Sequence, residues 1–596
     1  MKQLRALLPY LRPYRVLIAW GIVLVVASNA LNMASVECIK WGTDVLDRQG
    51  AGGAPMIARY AGLLVLFALL SGAGRYGMRE ILNGVSRRVE NDLRDDLFAH
   101  LLRLDAGFFG GHPTGEIMSR ATNDISAVRM VAGPAYMYLA NTVVFAVFAL
   151  GRMAWIDARM TVLSLVPMVL LPPVTIGFGN VIHDRFEKIQ EQFGVLSTMA
   201  QENLAGARIV KAYGQEEYQT GRFAALSREY MDQNVGLART SGLFYPLLTL
   251  LAGLAMAVSL WMGGSAIAAG RITVGEFVLF IVYLGMLTWP MIALGWVVNL
   301  FQRGGASMGR VSRILAMEPA VATRPGAYAP AEVRGEIEFR GVRFRYPGTE
   351  RDVLDGLSFH VRPGETAAIV GPTGSGKSTV IALLSRLYDP TEGEVLLDGV
   401  PVANWDLARL RAAVALVPQD TFLFSTTIRE NLALGFEDAE EEAAGDRIRD
   451  AARVARLHDT VEEFPGGYDT LLGERGINLS GGQKQRAALA RAVARDAPVL
   501  VLDDALSAVD THTEYEILEG LRGVLAGRTS VIVSHRVTAV MHADLILVLD
   551  GGRVAEQGTH EALLRAGGVY AALQRRQLLA EEVDGDDLLA PAGAAV

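Results

Sequence analysis

The sequence predicts two architectures in series: an α-helical membrane domain of six transmembrane helices with long cytoplasmic extensions, followed by an α/β domain. Three observations predict it. Long uncharged runs fill the chain before about residue 310, whereas charge is spread evenly after about residue 330. Five of those runs reach the ~20 apolar residues that carry a helix across a bilayer. In the second half, Gly371-Pro-Thr-Gly-Ser-Gly-Lys-Ser-Thr379 fits the phosphate-loop pattern G-x-x-x-x-G-K-[ST], between an apolar strand pattern at 366–370 and a helical pattern at 379–387.

The boundaries follow from the same shift in composition: a membrane domain at 1–310, a linker at 311–334, a nucleotide-binding domain at 335–578, and an acidic tail at 579–596 expected to be disordered. The net charge of −8 averages two unlike regions. An acidic balance without a dense basic tract argues against a nucleic-acid partner. The single cysteine, Cys38, excludes an intrachain disulfide and a cysteine-based metal site.

Charge-free segments run 16–36, 60–70 (extending to 74), 130–151, 160–182, 241–270 and 277–302. The second is short, so Arg59 is expected to snorkel at one end while Arg75 lies deep at the other. The first is too long, and lacks the small-residue cleavage site, for a signal peptide. Lys2, Arg5, Arg12 and Arg15 precede it and put the N-terminus in the cytoplasm. The two inward segments, 75–129 and 183–239, then carry eight and seven Lys/Arg, against three, two and one in the outward loops. Their helical spacing of apolar residues extends the spans into the cytosol. Gly110, Gly111, Pro113 and Gly115 are expected to break the first extension, with a short helix starting at Glu116. The stretch 201–214 has a similar look. Pro167, Pro172, Pro173 and Pro290 are expected to kink the fourth and sixth spans.

The phosphate loop requires glycines at Gly371, Gly374 and Gly376 so that backbone N–H groups, including those of Thr373 and Ser375, curl round phosphates at a helix N-terminus. Lys377 reaches the β/γ-phosphates, and the Ser378 hydroxyl ligates Mg²⁺. Val499-Leu-Val-Leu-Asp-Asp504 is an apolar strand ending in two carboxylates, at the end of a strand where α/β sheets bind ligands. Asp503 suits Mg²⁺, and Asp504, one residue nearer the γ-phosphate, suits polarising a water. Leu479-Ser-Gly-Gly-Gln483 opens a helical run and offers a second anion site at Ser480, Gly481, Gly482 and Gln483. His535 ends a further strand pattern, either as a γ-phosphate contact or as a structural residue. Tyr346, 25 residues before the loop, suits stacking on a purine or packing in the core.

Together these residues resemble the ATP-binding cassette (ABC) transporter family, in its exporter half-transporter form, from Leu11 to about Gln577. The resemblance implies that Tyr346 stacks on adenine, that 371–379 (ending in Thr379) is the Walker A loop, and that Gln419 is the Q-loop residue at Mg²⁺. It further implies that 479–483 is the signature, 499–503 the Walker B strand, Ser507-Ala-Val-Asp510 the D-loop and His535 the switch histidine. ATP and Mg²⁺ are the implied cofactors. Two chains would sandwich each ATP between one Walker loop and the other's signature. The implied function is export of a hydrophobic, lipid or peptide substrate by alternating access, from a bacterial-type inner membrane with the nucleotide-binding domain in the cytoplasm.

One position departs from the family pattern. Glutamate usually follows the Walker B aspartate, whereas this chain has Asp504, shorter by one methylene of roughly 1.5 Å. A misplacement of ~1 Å can cost ~10²-fold in a positioned reaction. The departure resembles the degenerate subunit of heterodimeric multidrug exporters, so a heterodimer with a slow site on this chain is favoured. A slow homodimer, such as a lipid flippase, and a nucleotide-gated channel or regulator are the alternatives. Six spans exclude a soluble DNA-repair ATPase.

Overall fold

Six apolar helices carry the first half of the chain: Gln3–Gln49, Ala54–Leu101, Thr114–Ile156, Ala158–Ala205, Glu216–Ala268 and Val274–Leu315. A 30 Å hydrocarbon layer takes ~20 helical residues, so each helix continues well beyond a bilayer, as the charge pattern predicts. The structure is a computed structural model and describes residues 2–434, 442–473 and 476–587. The chain divides into two units, Met1–Leu102 with Thr114–Met317, and Arg103–Pro113 with Glu318–Val596.

In the membrane unit, prolines act unequally. The fourth span carries Pro167 inside Ala158–Val169 and restarts as Leu171–Ala205 with proline in its first turn. Pro290, by contrast, lies inside an unbroken Val274–Leu315. The third span takes two π-helical turns, Arg120–Asp124 and Val131–Ala135. At the end of the first of these, Asp124 accepts from Ser307 Oγ and Arg310 Nε of the sixth helix, both at 2.9 Å. Contacts between spans rely on small polar side chains. Ser71 Oγ donates to the Ser28 carbonyl at 2.9 Å, Ser259 Oγ to Ser164 Oγ at 2.8 Å, and Asn29 Nδ2 to Asn141 Oδ1 at 2.9 Å.

Two expectations change here. The linker predicted from residue 311 starts later, because the sixth helix runs to Leu315 with Val311 and Ile314 buried on its inner face. The first inward segment is interrupted where the glycines and Pro113 predict, with His112 and Pro113 outside any helix, but Gly110 and Gly111 themselves are helical. These close a short helix, Ala106–Gly111, whose start is capped by Asp105 accepting from Gly107 N and Phe108 N. Residues from Thr114 onward belong to the third spanning helix and not to a separate short one. The Ala106–Gly111 segment belongs to the second unit, where Asp105 also accepts from Ala320 N at 2.7 Å. In the second inward segment, Ala207–Ala212 is a comparable short helix.

Among the described residues the second unit holds two sheets. Strands β1 (Ile337–Phe344), β2 (Leu354–Val361), β4 (Glu392–Leu397) and β5 (Val400–Pro401) form an antiparallel sheet ordered β2-β1-β4-β5. The sequence suggests two strands at 336–346, but they are one strand with a register shift between Phe339 and Val342. The second sheet is ordered β10-β9-β3-β8-β7-β6. Its strands β3 (Thr366–Val370), β6 (Val414–Val417), β7 (Val499–Asp503), β8 (Thr529–Val533) and β9 (Leu545–Asp550) run parallel, and β10 (Arg553–Gly558) is antiparallel to β9. β7 and β8 are buried along their whole length, the pattern of strands covered on both faces. A last helix, Val569–Asp587, continues into the acidic stretch expected to be disordered from residue 579. Leucine, alanine and glutamate at 578–582 are strong helix formers and carry the helix on. Residues 588–596 of that tail lie outside the described residues.

Candidate nucleotide site

β3 ends at Val370, and the chain turns through 371–376 into the helix Lys377–Leu384. Gly376 sits at φ +100° directly before that helix, and a Cβ on Gly371 would collide with the Leu549 carbonyl oxygen. Larger residues would therefore block the loop. Lys377 is 7 % exposed, and its Nζ donates to the carbonyls of Gly371 and Pro372, each at 2.9 Å. Burial pushes the Lys377 ammonium below its usual range, while Asp503 and Asp504 oppose the shift. The buried Ser375 hydroxyl has no partner among the described residues.

Parallel pairing sets the carboxylates against this loop, since β8 separates β7 from β3 and all three point the same way. Asp503 ends β7 and is buried, with the Ser378 side chain close enough to influence its carboxylate. Burial pushes its carboxyl up, with Asp504 adding to the shift, whereas Ser378, Lys377 and His535 hold it down. Asp504 adopts φ +48°, a left-handed conformation that aspartate tolerates better than most residues. Its N–H donates to the Val533 carbonyl at 2.9 Å, tying it to the end of β8.

These elements enclose a cleft of about 190 Å³ lined by Thr373, Gly374, Gly376, Lys377, Ser378, Thr379, Gln419, Asp503, Asp504 and His535, together with Val353 and Val533. Gly371 and Ser375 frame the loop behind it. Tyr346 does not line the cleft. Its hydroxyl meets Thr379 Oγ1 at 3.0 Å, and its ring packs edge-on against Phe344 and Tyr388. The Ser480, Gly481, Gly482 and Gln483 group also lies outside it. Ser480 and Gln483 form a reciprocal capping box at the start of the helix Gly481–Ala494. Asp510 caps the next helix, Thr511–Leu525, accepting from Thr513 N at 2.9 Å.

Sequence reasoning missed the residues that join these parts. Gln485 donates to Ser507 Oγ at 2.9 Å and accepts from Ala508 N at 2.8 Å, fastening the helix after Ser480 to the turn after Asp504. Gln577 of the last helix accepts from Val537 N at 2.8 Å and donates to the His535 carbonyl. Buried Glu514 pairs with Arg536, the neighbour of His535. Gln485 lies in the polar run after the Ser-Gly-Gly turn. Gln577 and Glu514 are single polar residues with no local signal.

The cradle at a helix N-terminus, the buried lysine and the unpaired Ser375 hydroxyl fit a polyphosphate chain. Six spanning-length helices fused to such a domain define a membrane protein driven by a nucleotide. Comparison with known proteins agrees: the ABC transporter transmembrane region family matches residues 17–291 and the ABC transporter family matches residues 354–507. A Bacillus subtilis probable multidrug resistance ABC transporter ATP-binding/permease protein, YheI, is 37 % identical over 95 % of this chain and 96 % of its own length. The ATP-dependent lipid A-core flippase of Chromohalobacter salexigens is 36 % identical over 96 % of this chain and 97 % of its own. A bacterial Atm1-family ABC exporter with ATP bound superposes with a TM-score of 0.79 at 32 % identity, covering 94 % of this chain and 98 % of that one.

The chain belongs to the ABC transporter family, as an exporter-type half-transporter with a membrane domain and one ATP-binding cassette in a single polypeptide. It is an ATP hydrolase coupled to transport, a multi-pass protein of a bacterial-type membrane with its ATP-binding domain in the cytoplasm.

Proposed function

We propose that this chain exports a hydrophobic or amphipathic substrate as one half of a dimer, and that its own ATP site turns over slowly. The observation that carries the reading is the cleft holding Lys377, Ser378, Gln419, Asp503, Asp504 and His535 together. Lys377 would neutralise the β/γ-phosphates, and the loop N–H groups would hold them at the helix start. Ser378, Gln419 and Asp503 would hold Mg²⁺, which supplies charge neutralisation between the outer phosphates. Asp504 would orient the attacking water, and His535 would meet the γ-phosphate. Asp504 reaches one methylene less far than the glutamate usual there, so attack is expected to be slow.

The dimer reading rests on incomplete coverage. Ser480–Gln483 does not line this chain's cleft, which leaves that capped helix start for the partner's ATP. In the cytoplasmic extensions Leu204, Ile209, Tyr213 and Tyr218 are exposed, apolar surface suited to burial by a second chain. The partner is proposed to be a different half-transporter with glutamate at the position of Asp504. A slow homodimeric lipid exporter is the second reading, favoured by Asp504 lining the cleft beside His535 and by similarity to relatives named flippases.

Uphill transport into inverted vesicles tests the export reading. Export predicts ATP-dependent accumulation that Lys377→Ala abolishes. Dissipation of a preset gradient without accumulation would instead make the protein a nucleotide-gated pore.

A further inference from the structure

His535 lines the phosphate cleft, yet its ring makes no hydrogen bond among the described residues. The direction of that ring is therefore set by the backbone that carries it. The backbone leaves β8 at Val533, turns through 534–536 and enters the short helix Val537–Val540. Arg536, at the N-cap of this helix, makes no side-chain cap, so the Val537 N–H is one of the orphan donors of a helix start. Gln577 of the last helix supplies the acceptor: its Oε1 takes the Val537 N–H at 2.8 Å, while its Nε2 donates to the His535 carbonyl. One amide thus clamps the turn on both sides of Arg536, with the donor and the acceptor that a peptide group would offer. Val537 is buried, where an N–H left without its acceptor is costly.

The last helix does not need Gln577 to stay in place. At its start the Val569 and Tyr570 N–H groups donate to the Glu556 carboxylate of β10. Tyr570, fully buried, also meets His560 Nδ1 through its hydroxyl at 2.8 Å. Gln577 follows Tyr570 by seven residues, which is two turns and about 10 Å along the same face. The helix is rooted at β10 and reaches the His535 turn two turns further on. Two other bonds support that turn, Arg536 N to Ser534 Oγ at 3.0 Å and the pairing of Arg536 with buried Glu514, but both act on Arg536. Gln577 grips His535 itself.

We propose that Gln577 is a positioning residue: by clamping the His535 carbonyl and the Val537 N–H, it fixes the direction in which the His535 ring meets the γ-phosphate. The inference rests on the reading of His535 as the γ-phosphate contact, and adds that the last helix sets that contact.

The test compares nucleotides with and without a γ-phosphate, so it does not depend on turnover. The full-length chain in phosphatidylcholine nanodiscs with Mg²⁺ is titrated with adenylyl imidodiphosphate and with ADP, and the ratio of the two Kd values is the readout. His535→Ala measures the histidine contact and tests the underlying reading by itself. Gln577→Ala is expected to lower the preference for adenylyl imidodiphosphate about three- to tenfold, with ADP affinity unchanged. Gln577→Glu, of the same length but with an oxygen against the His535 carbonyl, is expected to lower it as well. Because Gln577 acts through His535, adding Gln577→Ala to His535→Ala is expected to change nothing further. ADP binding that weakens in parallel marks a merely structural role and overturns the proposal. A preference within about twofold of wild type in either Gln577 variant, or a further loss in the double variant, also overturns it, while the effect of His535→Ala leaves the γ-phosphate reading standing. If His535→Ala itself leaves the preference unchanged, that reading fails and the proposal with it.

Discussion

The two units solve opposite solvent problems. In the nucleotide unit the apolar residues turn inward: β7 and β8 are buried along their length, and most of the core side chains are aliphatic. The membrane unit also buries large apolar residues such as Phe280 and Leu287, but many others are exposed, Trp155 at 85 % and Leu69 at 68 %, while Ser28, Ser71, Ser164 and Ser259 are buried between helices. Lipid is as apolar as leucine, so packing between spans gains little from burying it and relies on close approach and hydrogen bonds. The same residue type therefore has a different value in each half.

Removing Lys377 should have the largest effect. Lys377→Ala withdraws the only lysine or arginine among the described residues lining the phosphate cleft, where a preorganised charge typically contributes ~10²–10³ in rate, so phosphate release should fall by that order. Leucine deletions then separate the two units. Leu500→Ala empties a fully buried position in β7 and should destabilise the nucleotide unit by about 2–5 kcal/mol, read by pulse proteolysis in urea. Ser259→Ala loses the hydrogen bond to Ser164 and should cost about 0.6 kcal/mol in the same assay. Leu69→Ala, facing lipid, should stay within about 0.5 kcal/mol of wild type. A Leu69 variant as damaging as the Leu500 variant would break the contrast between the units.

That contrast also explains what was legible in the sequence. Charge-free runs marked all six spans because lipid-facing positions must be apolar at every depth. The phosphate loop and the Asp503–Asp504 pair were legible because their chemistry depends on local spacing. What escaped were contacts between residues distant in sequence. Gln485 to Ser507, Gln577 to the His535 turn and Asp124 to Arg310 are each single polar residues whose partners only folding brings near. The Ala106–Gly111 helix was also missed, because its paired glycines read as a breaker while the capping Asp105 lay upstream. Tyr346, expected to stack on adenine, meets Thr379 at the end of the phosphate loop through its hydroxyl, a contact that sequence spacing did not indicate.

The account turns on Asp504, a carboxylate in the cleft at φ +48° whose reach is a methylene shorter than the family's usual glutamate. The most direct measurement is steady-state ATP hydrolysis by the purified chain, alone and co-expressed with a candidate partner half-transporter. The account predicts slow turnover by the chain alone. It also predicts rapid turnover with the partner that survives Asp504→Asn here and is lost when the partner's own glutamate is changed to glutamine. Rapid hydrolysis by the chain alone, abolished by Asp504→Asn, would contradict it and make Asp504 the working base of a homodimer.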